Sequence, residues 1–210
     1  MNSTYVALGD SITDSSNSYA TKRYMDYLNE YYSFDEFLNL GVSGSTIGNL
    51  YDPFQSRLDE LQVSPKLLTI YGGVNDFGRD QPLGKYGDSN NQTFYGALYQ
   101  LFQSVNRLNP ENVLFISHAK IGNDFFEEVN SFGLHQIDYE KAIHKMTCGF
   151  HINHLSLYDK IDFGGNDSSL SDDSLHPNDK GQRFIYGEIL NYLNVVMQFK
   201  NGVVENERKN

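Results

Sequence analysis

Thr4-Tyr5-Val6-Ala7-Leu8-Gly9-Asp10-Ser11-Ile12-Thr13 opens the chain with two signals side by side. The first five residues are apolar and β-prone and read as a strand. Gly9-Asp10-Ser11 is turn sequence. The next helical pattern starts near Ala20, so Ser11 falls on a turn at the C-terminal end of that strand. In an open α/β sheet this is the edge where ligands bind. A Gly-Asp-Ser tripeptide alone is ordinary turn chemistry. A nucleophilic Ser11 needs a base, a group to orient the base and donors for an oxyanion, all from elsewhere in the chain.

Outward from that stretch, strand-like and helix-like segments alternate. Ala20, Tyr24, Tyr27, Leu28 and Tyr31 mark a helix to Tyr32. Phe37 to Leu40 is a second short strand, ending in the small-residue turn Gly41 to Thr46. Leu67-Leu68-Thr69-Ile70-Tyr71 suits a strand buried on both faces. Phe94, Ala97, Leu98, Leu101, Val105 and Leu108 form an amphipathic stripe, stopped by Asn109-Pro110. Val113 to Ile116 reads as the fourth strand and Leu155 to Tyr158 as the fifth. Between them lie an irregular stretch, His118 to His135, and a helix marked by Tyr139, Ile143, Met146 and Phe150. Pro177 suits the first turn of a last helix, whose stripe is Ile185, Ile189, Leu193, Val196 and Met197. This order implies an α/β fold with a parallel sheet and helices on both faces. We expect one domain over residues 1–200 and a frayed tail over 201–210.

The 210 residues carry a formal net charge of −11. That argues against nucleic acid and anionic membrane as partners, since both need clustered Lys and Arg. No stretch has the apolar length of a membrane span. Strand-like sequence starts within a few residues of Met1, so no signal peptide is expected and the cytoplasm is the default location. The one cysteine, Cys148, excludes an internal disulfide and is expected to be a buried, inert thiol. His144, His151 and His154 are expected not to share a site, because their spacing crosses from a helix into a strand. No metal is expected.

Parallel strands end on one edge, so Gly9-Asp10-Ser11, Gly41 to Ser45 and Gly73-Val74-Asn75-Asp76 converge in space. Asp173-Ser174-Leu175-His176, just before the last helix, returns to the same edge. Acyl transfer needs a base to take the serine proton, and imidazole is the usual one near neutral pH. Asp173 lies three residues before His176 and can face its ring; Asp172 is its rival. The Ser11 amide, the Gly44 amide and the Asn75 side chain are candidate oxyanion donors. Asp10 and Asp76 read as turn-fixing acceptors.

These four blocks, in this order, resemble the SGNH hydrolases, the GDSL esterase/lipase family. Ile12 stands where the family name has leucine, a near-isosteric change. The resemblance implies a three-layer α/β/α sandwich with flavodoxin-like topology and a site that hydrolyses esters. It puts the nucleophile at Ser11, the base at His176, its orienter at Asp173 and the oxyanion hole at Ser11, Gly44 and Asn75. The run from Asn75 to Gly78, then Pro82-Leu83-Gly84, looks like a bacterial subgroup. Phe77, Pro82, Leu83, Phe125 and Phe126 are candidates for the substrate pocket, although satellite core is the more ordinary reading of Phe125, Phe126 and Phe132. The expected substrate is a small-molecule or glycan ester, with short-chain acyl and acetyl esters first. A lysophospholipase- or thioesterase-type acylhydrolase and a non-catalytic binding domain are the alternatives. No cofactor is expected.

Overall fold

The computed structural model describes residues 3–200. The expected tail at residues 201–210 lies outside the described residues. Five strands form one sheet: β1 (Thr4–Gly9), β2 (Glu36–Gly41), β3 (Leu67–Tyr71), β4 (Val113–Ser117) and β5 (Asn153–Ser156). Their order is β2-β1-β3-β4-β5, and every pair is parallel. The expected α/β fold with a five-stranded parallel sheet is therefore what forms. β1 and β3 are buried along their whole length, as suits mainly apolar strands covered on both faces. β2 and β5 are the edges and are only partly covered.

Alternate side chains of each strand feed two cores. Val6 and Leu8 of β1 join Ile70, Phe94, Leu98 and Phe115 on one face. Tyr5 and Ala7 join Tyr24, Leu28, Leu114, Ile185 and Ile189 on the other. The helices are α1 (Tyr24–Tyr32), α2 (Phe54–Asp59), α3 (Val74–Gly78), α4 (Phe94–Leu108), α5 (Gln136–Phe150) and α6 (Asp179–Asn191). α2, α4 and α5 cover the first face and α1 and α6 the second. The result is three layers, α/β/α.

Four local expectations are corrected. α1 starts at Tyr24 rather than Ala20, because Thr21 is held outside the helix by two hydrogen bonds to Asp179 Oδ1. α6 starts at Asp179, with Asn178 as its N-cap accepting from Lys180 and Gly181, so Pro177 stays just outside. A single π-helical turn, Tyr192–Val196, follows α6; its wider spacing rotates Val196 out to 57% exposure, off the expected stripe. β5 lies two residues earlier than expected. It is an edge strand whose Asn153 faces solvent, so apolar alternation does not mark its start.

Candidate active site

β1 ends at Gly9, and Asp10 builds the turn after it. The Asp10 carbonyl accepts from the Thr13 and Asp14 amides, and its Oδ1 accepts from the Ile12 amide at 3.0 Å. Ser11 sits on that turn, 8% exposed. It lies at the end of β1, beside β3, where the strand order reverses, the place where open α/β sheets form a binding crevice.

His176 Nε2 lies 3.0 Å from Ser11 Oγ, across 165 residues of sequence. Its Nδ1 lies 2.6 Å from Asp173 Oδ2. The carboxylate fixes the proton on Nδ1, which leaves the Nε2 lone pair to accept from the serine hydroxyl. Asp173 holds its own turn as well. Its Oδ1 accepts from the Leu175 and His176 amides at 3.1 and 2.7 Å, and Ser174 takes a left-handed φ of 61° to close the turn. The rival carboxylate, Asp172, instead accepts from Asn178 Nδ2 at 2.9 Å. Burial pulls the His176 pKa below its usual value, against the opposing pull of Asp173. The hydrogen bonds from His176 and Leu175 hold the Asp173 carboxyl low despite its partial burial. The ring is therefore a neutral base at neutral pH, with an ionised partner behind it.

The second and third turns lie beside this pair. Gly44 adopts a φ of +79°, a left-handed conformation that glycine takes without strain. The backbone N–H groups of Ser11 and Gly44 find no acceptor among the described residues. Both amides are therefore open to water or to a bound ligand. Asn75 lies in the first turn of α3, which starts at once after β3. Its Nδ2 donates to Ser45 O at 3.0 Å and reaches Asp10 Oδ2 only at 3.5 Å. The glycine block is tied to both neighbours. Asp76 accepts from the Ile47 and Gly48 amides at 2.9 and 2.7 Å. Arg57 donates to Gly9 O and to Ser45 Oγ. Burial pushes the carboxyls of Asp10 and Asp76 up to about 7 each.

Several residues of the site carry no signal in the sequence. The Tyr19 ring stacks flat on His176, with centroids 3.6 Å apart and planes 3° from parallel. Its loop is held by Asn17, whose Nδ2 donates to Ser11 O at 2.8 Å and to Ser43 Oγ at 3.2 Å. Arg23, 2% exposed, donates to the carbonyls of Asp14 and Asn17. Gln182 of α6 clamps the helix after the His176 loop to the Ser11 turn: Nε2 donates to Ile12 O and Oε1 accepts from the Tyr24 amide. Only the left-handed Gly44 and the polar character of these loops hint at such an arrangement.

The pocket candidates divide. Phe125 is 48% exposed and sets its ring edge-on to His176, 5.3 Å between centroids. Phe126 packs edge-on against Phe125 and lies over Gly78. Phe77 is 1% exposed; it packs on Tyr139 and borders a polar cavity of about 300 Å³ with Lys120, Gly122 and Asp162. Pro82 and Leu83 accept through their carbonyls from the Phe94 and Tyr95 amides, and so tie down the start of α4. Phe132 is exposed.

Cys148 is exposed, not buried; the α5 stripe turns Met146 and Thr147 inward and leaves it outside. His144 and His154 do approach, with ring centroids 5.8 Å apart, because α5 packs over β5. His151 caps α5 apart from them. Among the described residues no group of three or more His, Cys, Asp or Glu could hold a metal ion. His118 is buried and pushed down to about 4 by that burial; its Nδ1 lies 2.8 Å from Ala119 O. No described helix is long and apolar enough to cross a membrane.

A flavodoxin-like sheet with Ser11, His176 and Asp173 joined in one hydrogen-bonded line at its carboxyl edge has the architecture of the SGNH hydrolases. The chain belongs to the GDSL-like lipase/acylhydrolase family, whose family model matches residues 7–184. Three solved structures show the likeness. A Lactobacillus plantarum protein is 40% identical, with 92% of this chain and 97% of that one covered and a TM-score of 0.85. A Chitinophaga pinensis protein described as a possible lipase is 21% identical, covering 93% and 99% at a TM-score of 0.76. A mutant of an acetyl-xylooligosaccharide esterase from Geobacillus stearothermophilus is 17% identical, covering 90% and 92% at a TM-score of 0.63. A search of curated proteins gave no match. Membership of this family makes the protein an ester hydrolase in the broad sense.

Proposed function

We propose that the protein is a serine esterase that cleaves short-chain acyl or acetyl esters, acylated carbohydrate among them, through an acyl-enzyme on Ser11. The observation that carries this reading is the line from Ser11 Oγ through His176 to Asp173. Ser11 Oγ attacks the ester carbonyl as His176 Nε2 takes its proton. The negative charge on the carbonyl oxygen meets the free amides of Ser11 and Gly44 and the Asn75 side chain. The imidazolium gives its proton to the departing alcohol. Water, deprotonated by the same ring, then releases the acid. Neither a metal nor an organic cofactor enters these steps. A preference for small acyl groups is supported by the cover on the pair: Ser11 and His176 are 8% and 5% exposed, with Tyr19 and Phe125 against the ring.

Para-nitrophenyl esters from acetate to palmitate, with acetylated xylooligosaccharides beside them, test the substrate range. Wild-type protein is expected to favour the shortest chains and to react once with a fluorophosphonate probe. Ser11→Ala should abolish turnover and labelling, and His176→Ala should cut kcat by about three orders of magnitude or more. Turnover by Ser11→Ala would sink the mechanism.

A further inference from the structure

We propose that Arg79 is a specificity residue that takes a carboxylate carried by the ester substrate, so that the preferred esters are anionic. This rests on the esterase reading of Ser11. Arg79 caps α3, one turn after Asn75, and its amide donates to Asn75 O at 2.9 Å. Its base is therefore fixed to the same turn that carries the candidate oxyanion donor. The guanidinium folds back over the glycine block. Its Nη2 lies 2.7 Å from where a Cβ on Gly44 would sit. A side chain at position 44 would displace it, so the glycine leaves room for the cation as well as the turn. The Tyr51 ring supports it from one side, 5.5 Å from ring centroid to guanidinium carbon. Tyr51 itself approaches the same Gly44 position.

What Arg79 lacks is an anion. Its side chain has no carboxylate within ion-pair distance among the described residues and makes no hydrogen bond there. The nearby acids are engaged elsewhere. Asp52 pairs with Arg57, Asp76 binds the Ile47 and Gly48 amides, and Asp80 accepts from the Ser131 amide at 2.8 Å. In a chain of net charge −11, an exposed cation beside the reacting carbonyl stands against the general field and would draw anionic substrate to the site. The planar fork of arginine matches a carboxylate with two parallel hydrogen bonds. Because the guanidinium touches the residue whose amide is to hold the oxyanion, the carboxylate it takes lies only a few bonds from the ester carbonyl. That carboxylate has two possible sources, the acyl chain or the alcohol.

The test compares wild type, Arg79→Gln and Arg79→Lys on matched esters. Mono-para-nitrophenyl glutarate against para-nitrophenyl butyrate places the charge on the acyl side. Meta-carboxyphenyl acetate against phenyl acetate places it on the leaving group. Uncatalysed rates are subtracted. For one of the two pairs, Arg79→Gln should lower the anionic-to-neutral ratio of kcat/KM about tenfold, chiefly through KM, as loss of a charge-assisted bidentate contact predicts. Arg79→Lys should restore part of it, and the wild-type ratio should fall as salt rises. Which pair responds assigns the source. Unchanged ratios in both pairs, or an equal loss of kcat on charged and neutral esters, would overturn the proposal; the latter makes Arg79 a general stabiliser of the oxyanion. Ser11-dependent turnover of the neutral esters keeps the esterase reading standing in either case. Absence of turnover on every ester would remove both.

Discussion

Besides the edge of Phe125, the imidazole of His176 meets three groups that do different things. Asp173 sets its tautomer, Ser11 offers it a proton, and Tyr19 lies across its face. Burial is the largest influence on the ring's pKa and lowers it. Tyr19 supplies part of that cover, so Tyr19→Ala lets water reach the ring. Its cation–π contribution acts the other way but is the smaller effect at a partly exposed site. On the proposed mechanism the base form is the active one, so kcat/KM should rise with pH through the His176 pKa. In Tyr19→Ala that acid limb should move to higher pH, as the ring regains hydration. Tyr19→Phe should keep the wild-type profile, and a Tyr19→Ala profile that does not move would show the stack to be only packing. Ser11, Asn75, Asp173 and His176 were legible because their chemistry and chain order point at one another. Tyr19 and Asn17 were not. They belong to a short polar loop with no periodicity, and only the folded path brings them to the ring.

At the scale of elements, the site consists of turns held by buried carboxylates and arginines. Asp76 is the clearest case, a side chain that accepts from two successive amides of the glycine block. Removing it leaves two buried donors unpaired, at about 1–3 kcal/mol each. Asp76→Ala should therefore lower the melting temperature by roughly 5–15 °C in a domain of this size, with kcat falling further than stability alone accounts for. Calorimetry and ester assays on the same preparation separate the two effects. The long elements were read within a few residues because burial imposes a period on them; α4 matches at both ends. α2 was not read at all. With six residues, of which Phe54 and Leu58 are buried, it offers one repeat of the helical spacing. β5 was misplaced because an edge strand is hard to read: of its four residues only Leu155 is fully buried.

Across the whole molecule, buried titratable groups of opposite kind face the same pH range. Asp10 and Asp76 are raised to about 7 from 3.8 by burial. The stability linked to them is present below 3.8 and lost as pH rises through about 7. His118 and His154 are lowered to about 4 from 6.5, also by burial. The stability linked to them is present above 6.5 and lost as pH falls through about 4. The slopes oppose each other between these limits, so the wild-type melting temperature should change little there. Asp76→Asn removes one of the two carboxyls from the balance and leaves the two histidines opposed by Asp10 alone. Its melting temperature should decline as pH falls from about 6.5 toward 4.5, measured by calorimetry in matched buffers; a flat profile would contradict the assignment. The sheet was legible in the sequence because its inner strands are mainly apolar runs, whereas this balance was not, since burial of a single Asp or His is decided by its neighbours. One consequence follows from the 165-residue separation of Ser11 and His176. A ribosome adds Ser11 165 residues before His176. Over that stretch of synthesis the growing chain carries the Ser11 hydroxyl without its imidazole partner, and on the proposed mechanism it becomes reactive only when the α6 segment docks and Gln182 closes on Ile12.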